Sequence, residues 1–577
     1  MQQNALERLK RRWLLPVAAT VLSPAGAAVL PAQPTESFID TVDVQVVEVD
    51  VVVTDRNGRP VKGLTREDFE LSVDGQPVEI TNFFESEVFQ EPAEPDAQPD
   101  APAATGIAEE PTSLTVVLYM DDANLFPPYR SRLMKRLKKA AEPLRSLNAN
   151  FMLARFVNRL EVVVPPTRDL DAILEAVAKR PKGLARAVRN QRMRGNTLEE
   201  LSQNNRDCQN GGQLLALADA HAAQQANQAS IAIDGLADLT STLAGLPGKK
   251  AIVYMSDGLP QQPGLSAFDY IAQDLCPNDP RIVSEAYSTA RQHDETRRFQ
   301  RITAHANANR VTQFTLDAAG IRTGLSQSMS FEGTRPSFQN DRVHWTNVQG
   351  GLHQLASETG GKALLNSNDL ADLLDDVAEQ LASSYSLGFA PDERRSGEVR
   401  RLKIELAPHA AQRRSVDYRR SYRDKTQDEL LAERLISAAY LGNISNPLRM
   451  TVGLGGTTPR EKKVHRLPVS IVVPEETVLM VPGSSGQTGM LRLLLLAVDE
   501  DKRGRTPVRQ MTVPVGPAGD VQATDGAYRF EVSVSLPQGD YRVVVGVRDE
   551  ATGELSLVTE AATVPQRASG AAGRRSG

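Results

Sequence analysis

Apolar and polar residues follow two different rhythms along this chain, and the change of rhythm marks its parts. From 42 to 53 apolar residues fall at alternate positions: Val42, Val44 and Val46, then, after one slip of phase, Val49, Val51 and Val53. A period of two predicts a strand, with a bulge absorbing the slip. Asp55-Arg56-Asn57-Gly58 supplies a turn, and 69–73 and 78–84 repeat the extended pattern on either side of Asp74-Gly75. Residues 38–90 are therefore expected to form a small N-terminal β domain. The stretch 91–111 is rich in Pro, Ala, Asp and Glu without periodicity, and reads as a solvated linker.

Beyond it the rhythm changes to buried strands separated by helices. The unbroken apolar run at 114–120 suits a central parallel strand, and 151–156, 160–164, 251–255, 311–316 and 362–365 read as further strands. Helices are expected over 170–178, 231–246, 352–358 and 370–381, the second stopped by Pro247-Gly248. This alternation predicts an α/β doubly wound domain over 112–383. Short strands then return at 385–389, 402–406 and 415–419, within a β segment over 384–424. A helical connector is expected at 425–442 and a C-terminal β-sandwich over 443–565, with strands at 467–473, 491–498, 528–536 and 541–547. The small, basic, Gly-rich tail 566–577 is expected to be disordered. Because β segments flank the α/β domain on both sides, they are candidates to pair into one sandwich with that domain inserted between them.

Composition changes this picture at the ends and in the choice of partners. The length of 577 residues allows about three or four folded units, and 40% hydrophobic with 24% charged residues is ordinary globular composition. A formal charge of −6 offers no basic field for nucleic acid or anionic lipid. Lys10, Arg11 and Arg12, an apolar run over 13–22 and the small residues Ala25-Gly26-Ala27 form a signal-peptide pattern, so 1–32 is expected to be removed on export. Pro16 and Pro24 weigh against the alternative of a membrane anchor. The mature chain is then periplasmic or extracellular, with no integral span. In that compartment the only two cysteines, Cys208 and Cys276, are expected to bridge, free thiols being the alternative.

In open parallel sheets ligands bind where loops leave the carboxyl ends of the strands. Two such places are acidic: Asp121-Asp122-Ala123-Asn124 after the first strand and Ser256-Asp257-Gly258 after 251–255. Convergent side-chain oxygens there suit a hard divalent cation such as Mg²⁺, or Mn²⁺ or Ca²⁺. These loops, together with Pro247-Gly248-Lys249-Lys250, resemble the metal-site loops of the von Willebrand factor type A domain. The segments Asp55-Arg56-Asn57-Gly58-Arg59-Pro60, Leu316-Asp317-Ala318-Ala319-Gly320, Ser357-Glu358-Thr359-Gly360-Gly361 and Tyr385-Ser386-Leu387-Gly388-Phe389 narrow the resemblance to A-domain-related proteins of the acidobacterial type, over roughly residues 40–425.

The resemblance implies a protein-binding face with a metal site at Asp121, Thr197 and Asp257; Asn124 or Asp122 is the substitute side-chain oxygen donor in the first loop, and Thr167 is a second candidate for the threonine. The chain departs from the family where the first loop should read Asp-x-Ser-x-Ser: Ala123 and Leu125 stand at the serine positions. Two hydroxyl donors are missing, which favours a degenerate, metal-free loop.

No His-Glu-x-x-His, Gly-x-Ser-x-Gly or Walker lysine loop occurs, and the seven histidines form no helix-spaced pair, so no catalytic or organic-cofactor residue is assigned. The leading expectation is an exported adhesion or binding protein that contacts an unidentified protein partner. A metal-free envelope scaffold and an exported hydrolase with an unrecognised site remain as alternatives.

Overall fold

The structure is a computed structural model that describes residues 46–87, 113–179, 185–391, 397–442, 444–461, 464–483, 486–500 and 504–565. The expected signal segment, linker and tail lie outside them, as do Val42 and Val44. Among the described residues no helix is long and apolar enough to cross a membrane.

The described chain opens with β1 (Val47–Thr54), β2 (Phe69–Val73), β3 (Gln76–Pro77) and β4 (Asn82–Glu87). The α/β part follows as β5 (Leu114–Met120), α1 (Pro127–Ala140), β6 (Ala149–Phe156), β7 (Leu160–Thr167), α2 (Leu170–Ala178), α3 (Ala185–Asn204), α4 (Gly211–Leu243) and β8 (Lys249–Ser256). It continues with α5 (Leu265–Tyr270), α6 (Pro280–Gln292), α7 (Thr296–Ala308), β9 (Val311–Asp317), α8 (Phe338–Thr359), β10 (Ala363–Leu364) and α9 (Leu370–Ala382). Its six strands lie in the order β10-β9-β8-β5-β6-β7. All neighbours are parallel except β6 and β7. The link from Phe156 to Leu160 is a tight turn, far short of the roughly dozen residues a parallel crossover needs, so β7 has to run back.

β5 explains the two-sided core. Leu114, Val116, Leu118 and Met120 pack with α1, α2 and α9 on one face, while Val117 and Tyr119 pack with α4, α7 and α8 on the other. Strand alternation thus buries every residue of the run. α4 runs for 33 residues, well beyond the expected 231–246. Its first half is rich in Ala and Gln, which favour helix without drawing an apolar stripe. That half, α3, α5 and α6 enclose a separate small core around Leu198, Leu214, Phe268 and Ile282.

The chain then returns to β structure through β11 (Ser383–Phe389), β12 (Val399–Leu406), β13 (Ser415–Tyr418) and β14 (Ser421–Arg423). These strands interleave with the first four in two sheets, β13-β1-β11-β4 and β14-β12-β2-β3. Val49, Val51, Leu71, Tyr385, Leu387 and Ile404 share one core. Residues 46–87 therefore close no sheet of their own, and the α/β part is inserted between the two halves of a sandwich. Tyr385 ties the halves: its hydroxyl donates to Val61 O at 2.7 Å and accepts from Leu64 N at 3.2 Å. A helix α10 (Gln427–Leu441), opened by a capping box of Thr426 and Glu429, leads to the C-terminal strands. There Val464–Pro474 pairs along its length with Ala527–Pro537, and Gly486–Asp499 pairs with Gly539–Asp549. Leu467, Ile471, Leu493, Tyr528 and Val545 fill the space between them.

The sandwich meets the α/β part around a cavity of about 60 Å³. Lys249 bonds Asp50 at 2.7 Å and Ser384 at 2.8 Å, and Arg419 donates to Asn307 O and Glu48 O. Among the described residues the neighbouring Lys250 reaches only Leu246 O, at 2.9 Å. Burial, reinforced by Arg310 and Lys425, pushes its ammonium down to about 7. An exposed lysine titrates near ~10.4. Between those values the unfolded chain holds a proton the folded chain has lost, so stability rises with pH across that window. Lys250→Met is expected to flatten the rise and to gain about 1 kcal/mol at neutral pH. Urea midpoints at about pH 7 and pH 9.5 measure it, and parallel slopes for parent and variant would count against the assignment.

Candidate functional site

The strand order reverses direction between β5 and β8, so the crevice outside their carboxyl ends is where this sheet can receive a ligand. Register decides which residues meet there. Met120 lies opposite Met255, and Ser256 lies opposite Asp317, the last residue of β9. Asp121 and Asp317 therefore leave their strands at the level of Ser256, and Asp257 follows one residue further on the strand between them. Asp121 N–H donates to Met255 O at 3.0 Å and Ala318 N–H to Ser256 O at 2.8 Å, which locks the three loops together.

Asp121 Oδ2 accepts from Tyr254 Oη at 2.6 Å, Asn124 Nδ2 at 2.9 Å and Ser256 Oγ at 3.1 Å. Its Oδ1 is buried and takes no hydrogen bond. Burial raises this carboxyl above its usual range, against the pull of those three donors. Asp257 Oδ2 accepts from Phe126 N–H at 2.7 Å, while Oδ1 is again buried without a hydrogen bond. Burial pushes this group well up, with Phe126 N–H and the Arg322 guanidinium pulling the other way.

Asp317 is fully satisfied. Arg322 forks onto it, Nη2 to Oδ1 at 2.7 Å and Nε to Oδ2 at 3.2 Å, and Gln349 Nε2 adds 2.8 Å to Oδ2. The same Nη2 reaches Asp257 O at 2.5 Å. Gly320, at φ +64°, makes the turn that brings Arg322 back; a Cβ there would meet Asn368 Oδ1 at 2.3 Å.

Three of the expected site residues are thus brought together: Asp121, Asn124 and Asp257. Thr197 is not. It lies within α3, a helix rather than a strand-end loop, and its hydroxyl is engaged with His221 Nδ1 at 3.0 Å. Thr167 ends the antiparallel edge strand and receives Asp169 N–H. Asp122 turns away to Arg130 Nε at 2.7 Å, and Arg130 is itself anchored on Val177 O and Lys179 O. Asp317, Arg322 and Gln349 were missed. Reading the end of the third strand as closely as the first two would have found Asp317.

A divalent ion fits this set poorly. The two hydrogen-bond-free carboxylate oxygens are what an ion would need, but Ala123 and Leu125 are buried hydrocarbon where hydroxyl donors belong. Mg²⁺ asks for near-octahedral oxygen coordination. Arg322 moreover brings a fixed positive charge into the same constellation. Among the described residues no cluster of three or more His, Cys, Asp or Glu side chains is arranged to hold a metal.

Next to this crevice, the segment from Ala318 to Ser337 rests on a buried ionic hub. Asp341, at the start of α8, bonds Arg194 at 2.9 Å and accepts Leu325 N–H at 3.1 Å and Ser326 N–H at 2.9 Å. Asn340 reinforces it through Arg194 and Asp269. The segment and the first residue of α8 turn large apolar side chains to solvent: Ile321 is 68% exposed, Met329 90% and Phe338 56%.

Cys208 and Cys276 are joined by a disulfide that spans 68 residues and fastens the α3–α4 turn to the end of the π-helical turn Ile271–Leu275 that follows α5. Loop-closure entropy for such a span gives an expected loss of about 2–4 kcal/mol for the Cys208→Ser/Cys276→Ser double variant. Thermal unfolding with and without reductant measures it: the parent should fall on reduction and the variant should not respond.

One Ser–His contact bears on the hydrolase reading. Ser241 Oγ lies 3.0 Å from His305 Nε2, and Asn309 Nδ2 faces Nδ1 at 3.4 Å. Lys425 fixes the Asn309 oxygen at 2.5 Å, so the amide nitrogen is the group turned to the ring. That nitrogen donates chiefly to His305 O, at 2.7 Å.

No protein-family profile matches the chain, and no curated protein matches it. Among solved structures it is similar to the conserved hypothetical protein BatB from Bacteroides thetaiotaomicron, at 10% identity, over 47% of this chain and 98% of that one, with a TM-score of 0.20. It is also similar to an aerotolerance-related membrane protein from Bacteroides fragilis, at 11% identity, over 47% of this chain and 96% of that one, with a TM-score of 0.18. Likenesses at these scores carry no weight for the site or its partner.

Proposed function

We propose that this is an exported protein-binding module whose A-domain-like strand-end face contacts a protein partner, without enzymatic activity and without a bound metal. The observation that carries the reading is the segment leaving β9. It departs from the switch-point crevice, is pinned from beneath by Asp341, and still leaves Ile321, Met329 and Phe338 in water. Large apolar side chains exposed on a pinned segment beside a fold's natural ligand crevice mark a surface that is covered on binding. Export agrees with the leading basic and apolar residues and with the bridged cysteines.

The test compares immobilised parent protein with an Ile321→Ser/Met329→Ser/Phe338→Ser variant, each exposed to extracts of the cells that make it. The reading expects one protein retained by the parent, with or without chelator, and lost by a variant whose melting temperature is unchanged. Equal retention by both, or retention abolished by chelator, would refute it.

A further inference from the structure

We infer that the Arg322 guanidinium is the resident cation of the strand-end site: it takes the place of a divalent ion among Asp121, Asp257 and Asp317 and keeps such an ion out. This rests on the strand-end face being the binding surface proposed above, but its test needs no partner.

Three carboxylates leave adjacent strands within one residue of a common level, and their side chains are almost wholly buried: Asp121 and Asp317 are each 1% exposed and Asp257 is 9% exposed. Whichever of these buried carboxyls is ionised needs a positive charge near it, since an uncompensated buried charge costs several kcal/mol. Asp122 is balanced separately by Arg130, so it does not enter the count. Arg322 supplies the charge. Its side chain is 10% exposed, it forks onto Asp317, and it spans to the main-chain oxygen of Asp257. These bonds anchor the guanidinium on the β8 and β9 loops, and β8 is the strand next to β5, whose loop carries Asp121.

The remaining features agree with a charge built into the chain rather than taken from solution. Arg322 is guided by the Asp317–Gly320 turn, closed by Gly320 N–H to Asp317 O at 3.1 Å and Ala319 N–H to Asp317 Oδ1 at 3.1 Å. The first loop has lost its two hydroxyl positions to Ala123 and Leu125. A planar guanidinium needs no such donors, because it gives hydrogen bonds where an ion would receive oxygen lone pairs. What stays unused is one oxygen on Asp121 and one on Asp257. Once Arg322 is removed, these are the oxygens an incoming cation would find.

The experiment follows melting temperature against Mn²⁺ concentration for the parent, for Arg322→Gln and for Arg322→Gln/Asp121→Asn. Glutamine keeps an amide donor for the neighbouring oxygens and loses the charge. The parent is expected to show no saturable shift. Arg322→Gln is expected to melt lower without metal and to gain several degrees as Mn²⁺ rises through about 0.1–10 mM, the linkage effect of a ligand that binds only the folded state. Adding Asp121→Asn should remove that gain. If Arg322→Gln does not fold, Arg322→Gln/Asp317→Asn takes its place, because it discards one positive and one negative charge together and leaves the Asp121 and Asp257 oxygens. A saturable, Asp121-dependent shift in the parent would overturn the inference. So would the lack of any Mn²⁺ response in a folded variant without Arg322.

Discussion

A chain ended at residue 382 is expected to leave residues 46–87 unfolded while the inserted α/β part still forms. The reason lies in the pairing. β1 finds its ladder on β11 and β13, β4 on β11, and β2 chiefly on β12, all supplied after residue 382. Removing them strips the common core of Tyr385, Leu387, Phe389, Leu402 and Ile404 and leaves Val49, Val51, Leu71 and Val73 without a partner layer. A two-stranded remnant such as β2–β3 is marginal at best in water. The α/β part keeps its own two-faced core and loses the polar joint around Lys249 and Arg419 and the packing of α10, whose Ser437 bonds Gly245 N and Thr242 O. Amide hydrogen exchange separates the outcomes: 46–87 should exchange at the rate of free peptide and β5 should stay protected. Protection retained in β1 of the shortened chain would mean that the leading strands hold together by themselves.

The second large effect is expected at Asp341. Its side chain is fully buried, Arg194 beside it is 9% exposed, and two main-chain N–H groups of the 325–326 turn end on its carboxylate. Burial pushes the Arg194 guanidinium down, and Asp341 is the chief influence holding it up. Asp341→Ala leaves that cation buried without its counter-charge and frees the turn. Breaking a buried pair in this way costs about 3–5 kcal/mol. Denaturant titration gives the loss, and exchange at Leu325 and Ser326 reports the release of the segment that carries Met329. A loss below about 1 kcal/mol with unchanged exchange would show that the hub is dispensable. Lys250→Met and the disulfide variant, with smaller effects, probe the domain joint and the insertion separately.

How much of this was legible in the sequence depends on the kind of signal. Local signals read well. The helical connector at 425–442 and the uniformly apolar β5 were placed with their neighbours, and the doubly wound order follows from the alternation itself. Two acidic strand ends, at Asp121 and Asp257, were found because the carboxyl-end rule needs only the end of each strand.

What escaped depends on register between distant segments. Asp317 joins the site because β9 pairs with β8 so that Asp317 meets Ser256, and no local pattern encodes that pairing. Arg322 acts through a turn at Gly320 and bonds across two loops. Thr197 entered the expected site through the family resemblance alone. The surrounding residues are helix formers packed through Leu198 and Leu201, and they carry the threonine to His221 instead. α1 was overlooked although Pro127-Pro128 stands at its first turn, a common helix opening.

The central claim is that the segment beside the crevice is a protein-contact surface. Site-specific photocrosslinking in the cells that produce the protein tests it most directly, with the crosslinking residue at Met329 and, as control, at Glu531 on the far C-terminal sandwich. The account predicts one discrete adduct from position 329, unaffected by chelator, and none from 531. No adduct from 329, or the same adducts from both positions, would contradict it.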